Sequence, residues 1–521
     1  MSLARWKLTW RHLVSGKTSY YHMVLNIVLR CFVFAVIGSI ACPDFLLSTA
    51  FAAGREAPVP DVQFQPIRPP KAVSIREAVA VSLRNYPAIN NKLFKLRAAK
   101  ANVTLAKTQY LPNLNVDIQE SGVTGNRIAS VVMNNVSGFD TVPVDSGPSS
   151  NHQTFRPYMN NLQGLNLNWL LIDGGLRKAN DKFAYADAST ARADLNLTRL
   201  DVAFAAANAF LDAVAAKQLI LSTTAALEHM EAANLRARTL VAQGIRPGVD
   251  NADWQYEVSK AKISVIKAER DARLSFVELA EKMGVAWQDI DIISDPLIRR
   301  PTHVKPMGPF NLNSHPLALM KNAEIIRWRA KQNVLDKAWR PHLWLNSSLW
   351  GRGGSENTAN PIRDVGNGLL PQVFNYMVGV SYSFPFLEYF PLKAQRDQAR
   401  SNELAAKADF DLAMQILEKK DARARILLMQ TSKVANETPK LVEAAQVRET
   451  MVFKRYSTGL TNMVSLAEAE KALVEAEVED AMAQVEVWRS ILALAYVQGD
   501  LGPFMQLVDI AEGNTAGQRR E

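Results

Sequence analysis

Cysteine is nearly absent from this sequence. Its 521 residues include only Cys31 and Cys42, and both lie within the first 52 residues. Removal of that leading segment would leave no cysteine, which excludes a disulfide framework. The seven histidines are scattered, and the GxxxxGK[ST], GxSxG and HExxH motifs do not occur. We therefore predict no catalytic residue, no metal site and no cofactor, in a protein that is not an enzyme.

Long apolar runs are missing beyond residue 53, where no stretch of about 18 consecutive apolar residues occurs. Any membrane-embedded part of the chain must then be built from strands. Apolar residues nevertheless make up 48% of the chain and charged residues only 21%, which indicates folding rather than disorder. Lys and Arg number 60 against 51 Asp and Glu and form no basic blocks, so nucleic acid is not an expected partner.

The N-terminus has the pattern of an export signal. Arg5, Lys7, Arg11 and Lys17 precede an apolar stretch at 31–40, and Ala50-Phe51-Ala52 supplies the small residues that signal peptidase favours. We predict a signal peptide over residues 1–52, cleaved after Ala52. Because Arg30 interrupts the apolar region, an uncleaved anchor is an alternative. Cys42 is a candidate for lipidation, although the usual leucine is missing before it.

The rest of the chain contains an internal duplication. Proline and glycine landmarks recur with the same spacing in both halves: Pro87 and Pro112 match Pro316 and Pro341, and Gly244 and Gly284 match Gly459 and Gly499. Each half has the predicted order helix, two strands, long helix, turn and helix. Because proline lacks an N–H and disfavours the α conformation before it, Pro112 and Pro341 end helices and precede the strands.

The predicted strands alternate between apolar residues and small or polar ones. This period-2 pattern suits a membrane barrel with lipid outside and water inside, and suits a half-buried soluble sheet equally well. The apolar set comprises Leu114, Val116, Ile118, Leu165, Leu167, Trp169, Tyr376, Val378, Val380, Tyr382 and Phe384.

Long helices separate these two possibilities. Residues 176–243 contain neither proline nor glycine. A helix of that length is a rod about 100 Å long, which exceeds the diameter of a globular core. Helices at 74–110 and 249–283 together nearly equal it and could stack end to end along it. The corresponding segments of the second half are 392–456, 316–340 and 463–498. Alanine-rich stretches such as 203–209 permit close helix packing, and a soluble helical bundle is the remaining alternative.

These features together resemble the TolC family of outer-membrane efflux proteins. The resemblance rests on the duplicated plan and on the motifs at 85–87, 111–114, 173–175 and 455–461. It implies a mixed membrane β-barrel and α-barrel fold, in which each protomer gives four strands to a trimeric 12-stranded barrel and long coiled helices to a periplasmic tunnel. The chain departs from the family pattern at Tyr389-Phe390, where Gly-Gly is common, and at Pro439, where we expect a kink.

The resemblance also implies a function. Such a homotrimer lies in the cell outer membrane, extends into the periplasm and conducts substrates from an inner-membrane pump and a periplasmic adaptor to the exterior. The system is a tripartite efflux or secretion system, and the pump and adaptor select its cargo. A periplasmic adaptor or a coiled-coil scaffold protein is the alternative, although an adaptor has one helical hairpin and would not be duplicated with four amphipathic strands.

The domain organisation follows from the duplication and the resemblance. The predicted segments are a signal peptide at 1–52, an N-terminal equatorial segment at 53–72, repeat 1 at 73–284 with its hairpin at 113–171, an equatorial linker at 285–311, repeat 2 at 312–499 with its hairpin at 342–386, and a C-terminal equatorial segment and tail at 500–521.

Two glycine turns are predicted to form the periplasmic tip. Gly244 and Gly459 follow long helices, where a left-handed C-cap is needed before the chain reverses. Ile245 and Leu460 add an apolar residue to each turn. By resemblance, these turns, including Thr461, receive the adaptor.

The resemblance places a periplasmic gate at the same tip. Asp250 and Tyr456 match a family aspartate and tyrosine that help to hold the inner helices closed, and Thr461 replaces a residue that is often basic. Asp253 and Glu468 lie on nearby helical turns, so three-fold symmetry would form carboxylate rings that favour cations. The alternative is that all four are ordinary solvated residues.

Overall fold

Two copies of one structural plan follow each other along the chain. The structure, a computed structural model, describes residues 72–124, 126, 153, 155, 158–242, 248–286, 290–299, 301, 311–355 and 370–518. The signal peptide, Cys42 and most of the N-terminal segment lie outside these residues. The elements are α1 (Ile75–Asn85), α2 (Pro87–Thr108), β1 (Asn113–Val123), β2 (Tyr158–Ile172), α3 (Leu176–Ala242), α4 (Gly248–Met283), α5 (Pro316–Ala338), β3 (His342–Gly354), β4 (Val373–Ser383), α6 (Tyr389–Ser457), α7 (Met463–Gln498) and α8 (Gly502–Gln518).

The first helical segment is divided, whereas the sequence predicted one helix over 74–110. Ser74 begins α1 with a capping box: its hydroxyl accepts from the backbone N–H of Glu77, and the Glu77 carboxylate accepts from the N–H of Ser74. Tyr86 then adopts an extended conformation, with φ −66° and ψ 123°. Pro87 causes the break because its ring disfavours the α conformation at the residue before it, and it starts α2.

The two long helices organise the helical region. α3 has 67 residues and α6 has 69, so each is about 100 Å long. α3 packs against α2 and α4, and α6 packs against α5 and α7, as the end-to-end stacking argument predicted. Contacts of α3 with α5 and α7 join the two repeats.

The main core lies where both repeats meet. Small residues of α3, among them Ala206, Ala207 and Ala213, are fully buried and let neighbouring helices approach closely. Trp488 of α7 packs edge-on against Phe504 of α8, with ring centroids 6.1 Å apart, and its Nε1 donates to the carbonyl of Arg299 at 2.9 Å. Among the described helices, one segment, Leu176–Arg236, is long and apolar enough to cross a membrane. Its central side chains are instead buried in this core, namely Phe210, Leu211 and Val214.

Segments outside the repeats are tied to the same core. The N–H of Val73 donates to Asp291 at 2.9 Å, and the N–H of Ile293 donates back to Val73 at 3.0 Å, which forms a parallel bridge. The C-terminal segment, expected to end in a tail, is helical from Gly502 to Gln518. An Arg76–Asp509 ion pair fastens this helix to α1.

The four strands form one antiparallel sheet in the order β1-β2-β3-β4. The register places apolar residues opposite one another across all strands: Leu165 pairs with Val116 on one side and with Leu349 on the other, which in turn pairs with Tyr376. The apolar residues that alternate along the sequence therefore occupy one continuous face.

The opposite face of the sheet carries most of its polar side chains, together with Trp344 and Trp350. The amide nitrogen of Asn166 donates to the carboxylate of Asp117 at 2.6 Å, and the hydroxyl of Ser348 donates to the side-chain oxygen of Asn166 at 2.7 Å. Asn346 likewise donates to the hydroxyl of Ser381 at 2.8 Å. Side-chain hydrogen bonds thus join neighbouring strands on this face. Within the protomer, β1 and β4 each have one edge unpaired.

Pro439 lies inside α6, and the helix continues through it without interruption. Proline has no N–H to donate to the carbonyl four residues earlier, which belongs to Ala435. The side-chain amide of Gln484 on α7 donates to this carbonyl at 3.3 Å and to Asp480 at 3.0 Å. Asp480 also accepts from the hydroxyl of Thr438 at 2.6 Å. Side chains of α7 therefore compensate for the missing backbone bond.

Candidate functional site

The turn between α6 and α7 has the geometry of a Schellman C-cap. The N–H of Gly459 donates to Tyr456 at 3.1 Å, and the N–H of Leu460 donates to Arg455 at 2.9 Å. Gly459 has φ +81°, a left-handed conformation that side chains rarely adopt, and no neighbour would contact an added Cβ. The glycine is needed for the backbone conformation rather than for space.

Leu460 is left in solvent by this turn. In many Schellman motifs the residue at this position packs against the preceding helix, but Leu460 is 72% exposed. Asn462 then caps α7, because its side-chain oxygen accepts from the N–H of Ser465 at 3.0 Å. Two ordered caps therefore present an apolar side chain on a short turn.

An apolar cluster beneath the turn joins the tips of both repeats. Its buried members are Met230 and Ala233 of α3, Trp254 and Val258 of α4, Tyr456 of α6, and Met463 and Leu466 of α7. Arg236 of α3 lies over the ring of Phe453 at 4.9 Å. All four helices that approach the tip are thus held by one cluster, which includes the predicted gate tyrosine.

The predicted site residues occupy different environments. Tyr456 is buried in the tip cluster, whereas Asp253 and Glu468 are exposed. Asp250 lies in the first turn of α4, but its side chain is outside the described residues, as are Gly244 and Ile245 entirely. Thr461 is half-buried beside Leu460.

Glu470 is a buried acid that the sequence analysis did not identify. It lies one turn beyond Leu466 on α7, is only 8% exposed, and its Oε2 atom has no hydrogen-bond partner among the described residues. Burial and, to a smaller extent, repulsion from Glu449 raise the pKa of Glu470 to about 7, and Arg236 opposes the shift. The available signal was its position: Met463, Leu466 and Glu470 have the spacing of one buried helix face.

In the described part of the chain, no three His, Cys, Asp or Glu side chains are grouped in a way that could hold a metal ion. The features that stand out are instead two-faced strands, long packed helices and a capped tip.

Residues 79–285 match the family model described as outer membrane efflux protein. This part of the chain is therefore similar to outer membrane efflux proteins. It runs from α1 to the end of α4 and so contains the first repeat almost completely. The resemblance to TolC-like efflux proteins is confirmed. No curated protein matches the sequence.

Solved structures are similar to the efflux domain and to the second repeat alike. The outer-membrane channel OprN is 18% identical with a TM-score of 0.66, over 82% of this chain and 90% of that one. VceC from Vibrio cholerae is 13% identical with a TM-score of 0.64, over 82% and 96%. The Neisseria gonorrhoeae MtrE channel, in its open state, is 16% identical with a TM-score of 0.62, over 82% and 89%. At these identities the similarity shows that the fold is shared.

Proposed function

We propose that three copies of this chain form an outer-membrane efflux duct, which is a channel and not an enzyme. The observation that carries the proposal is the two-faced sheet. Its apolar face suits lipid and its hydrogen-bonded polar face suits a water-filled lumen, and the sheet is joined to helices about 100 Å long. The efflux-protein domain at 79–285 supports the same conclusion.

The open sheet edges support a trimer. A four-stranded sheet cannot close on itself, and an unpaired edge is not tolerated in hydrocarbon, so β1 of one protomer would pair with β4 of the next. Three protomers would give 12 strands, as the family resemblance implies. The helices would then extend into the periplasm, with the α6–α7 turn at their far end.

The tip provides a docking surface and a gate in this proposal. Leu460, with Gly459 and Thr461, and by duplication Gly244 and Ile245, would contact a periplasmic adaptor that is itself bound to an inner-membrane pump. Asp250, Asp253, Tyr456 and Glu468 would line or hold the periplasmic gate. The exposure of Asp253 and Glu468 is consistent with facing an aqueous opening.

The test of channel function is reconstitution of the purified protein into planar bilayers. We expect stepwise ion conductance, and a trimer by native mass spectrometry in detergent. A stable, non-conducting monomer that leaves the membrane without detergent would contradict the duct and favour a soluble coiled-coil scaffold.

A further inference from the structure

The polar face of the sheet has one row that combines a carboxylate, a glycine and a tryptophan. The register places Asp117 of β1 opposite Gly164 of β2, and Gly164 opposite Trp350 of β3. The three residues therefore lie at one level and on one face, and we call them the tryptophan row. Because neighbouring strands are about 4.8 Å apart, Asp117 and Trp350 stand about 10 Å apart along this row, with only the glycine between them.

Neither the backbone nor the space around it requires glycine at position 164. Gly164 does not have the positive φ that would exclude other residues. A Cβ at this position would lie 3.5 Å from the side-chain nitrogen of Asn166 and 3.9 Å from the Cβ of Trp350, which are ordinary contact distances. Glycine weakens the interior of a strand, and it often marks a place where a ligand approaches closely. Here it leaves an open surface between the carboxylate and the indole.

Side-chain hydrogen bonds hold the carboxylate beside this open surface. The amide nitrogen of Asn166 donates to Oδ2 of Asp117 at 2.6 Å, and the hydroxyl of Ser348 donates to Oδ1 of Asn166 at 2.7 Å. Asn166 is on the same strand and the same face as Gly164. Asp117 is exposed, and an ionised carboxylate can accept several hydrogen bonds. It can therefore bind a ligand while it keeps its bond to Asn166.

The indole on the other side of the glycine favours the same kind of ligand. Trp350 is half-buried, and the face of a tryptophan ring attracts cations more strongly than any other aromatic side chain does. The ring also stacks on flat aromatic groups. Arg352 lies one level further along this face and is exposed. It is the nearby group that would favour an anion instead, so the test has to include one.

The second tryptophan of this face has different neighbours. Trp344 lies earlier on β3, and its partners on the adjacent strands are Leu170 and Ser381. A leucine thus takes the place that Gly164 has beside Trp350. The row of Trp344 contains no carboxylate in the part that the structure describes. Trp344 is therefore a matched control for a tryptophan on the same face without the open surface.

We propose that the tryptophan row is a binding site for planar aromatic cations. The ring system of the solute covers Gly164 and stacks against Trp350, while its positive charge faces Asp117. This inference rests on the proposed duct, in which the polar face lines the lumen and three protomers place three such rows at one level. The row then gives the duct a preference of its own among the solutes that reach the barrel.

Block of single-channel current in planar bilayers tests the site. The blocker is proflavine, a planar aromatic cation. Tetraethylammonium carries the charge without the ring, and naphthalenesulfonate carries a flat ring with a negative charge. Each is added in turn to the full-length wild type and to the variants Trp350→Leu, Asp117→Asn and Trp344→Leu, and the concentration that halves the current is measured.

We expect proflavine to block the wild type at a lower concentration than either other solute. Trp350→Leu should weaken this block about 2- to 30-fold, because the cation–π contact is lost. Asp117→Asn should weaken it about 2- to 5-fold, as expected for an exposed ion pair. Trp344→Leu should leave it unchanged. If Trp350→Leu does not assemble, Trp350→Phe takes its place and should show a smaller loss, because phenylalanine attracts cations less than tryptophan does.

Equal block of the wild type and the Trp350 variant would overturn the site and leave the duct intact, with Trp350 serving only to cover the strand. An equal loss of block in Trp344→Leu would overturn it as well, because the glycine and the carboxylate would then be irrelevant. Stronger block by naphthalenesulfonate than by proflavine would replace the cation site by an anion site at Arg352. Absence of conductance in the wild type would contradict the duct itself and the site with it.

Discussion

Glu470 illustrates how far one residue can depart from its behaviour in water. The folded protein buries its carboxyl group in the tip region, with Glu449 adding repulsion and only Arg236 opposing it. A pKa of about 7, against an ordinary value of 4.5, means that the folded state binds the proton more tightly than the unfolded state does. Ionisation of Glu470 therefore costs the folded state free energy as the pH rises through this range.

We predict that Glu470→Gln removes this pH dependence. Below pH 4.5 the wild type and the variant should be similarly stable, whereas above pH 7 the variant should be more stable by up to about 3 kcal/mol per protomer. Thermal unfolding followed by circular dichroism at about pH 5 and pH 8, on either side of the raised pKa, measures the difference. Glu479→Gln, at an exposed position of the same helix, is the matched control and should change neither value. Equal pH dependence in all three proteins would show that Glu470 ionises normally.

Two electrical measurements test the proposed gate residues. Asp250→Ala combined with Tyr456→Phe should raise single-channel conductance, because a contact that holds the closed state is removed while the Tyr456 ring stays in its cluster. Glu468→Gln should lower cation selectivity, measured as the reversal potential in a salt gradient, because a carboxylate ring loses its charge. Wild-type values for both quantities would place the gate elsewhere.

The sequence predicted the position of the tip turn but not the cluster that supports it. Glycine spacing and helix ends are local signals, and they were sufficient to locate Gly459 and Leu460. Trp254 and Glu470 were missed because their burial depends on α3, α4, α6 and α7 meeting, and sequence periodicity within one helix does not show which helices meet.

At the scale of elements, α7 supplies a hydrogen bond that the backbone of α6 cannot form at Pro439. The carbonyl of Ala435 is buried and has no helical donor because of Pro439. An unpaired buried carbonyl costs about 1–3 kcal/mol, so the bond from Gln484 matters more here than it would on an ordinary helix. The expected kink at Pro439 has to be compatible with this cross-helix bond.

A double-mutant cycle tests that compensation. Gln484→Ala should destabilise the wild type by about 1–2 kcal/mol. It should cost clearly less in a Pro439→Ala background, where residue 439 supplies its own N–H to Ala435. The free energies of unfolding in guanidinium give the coupling. If Gln484→Ala lowers the free energy of unfolding equally in both backgrounds, Gln484 stabilises the protein only through its bond to Asp480.

The tip turn is a second element whose role can be isolated. Leu460→Asp should abolish transport by the assembled pump, because it puts a charge on the proposed docking surface, while Leu460→Met should retain it. Since Leu460 is exposed and the cap uses only its backbone, trimer formation and outer-membrane levels should be unchanged. Normal transport by Leu460→Asp would place adaptor contacts elsewhere.

Element order could be predicted from the sequence because proline, glycine and period-2 alternation act locally. The long helices 176–243 and 392–456 were located within a few residues of their observed ends. The break at Tyr86 was missed although Pro87 signals it, because the helical pattern continues on both sides. Helix α8 was expected to be partly a tail because its Gly-containing end has weak helix propensity. The helix forms because tertiary contacts hold it, namely the Arg76–Asp509 ion pair and the burial of Phe504.

At the scale of the whole molecule, the two sheet faces should tolerate charge differently. Val378 and Met377 are adjacent on β4 and therefore point to opposite faces. In the proposed trimeric barrel, Val378→Lys would put an ammonium group into lipid at a cost of about 2–4 kcal/mol per protomer, whereas Met377→Lys would face the lumen. We expect the first variant to lose most assembled trimer from the outer-membrane fraction and the second to retain it. Equal yields would contradict the assignment of faces.

The unpaired edges of β1 and β4 also have a genetic consequence. In the proposed barrel every protomer must both donate and accept an edge, so a chain with one defective edge would still enter an assembly and leave its ring open. In a cell that makes altered and normal chains together, most assemblies would contain at least one altered copy. Alleles that damage only β1 or only β4 should therefore be dominant, whereas alleles that prevent the chain from being exported should be recessive.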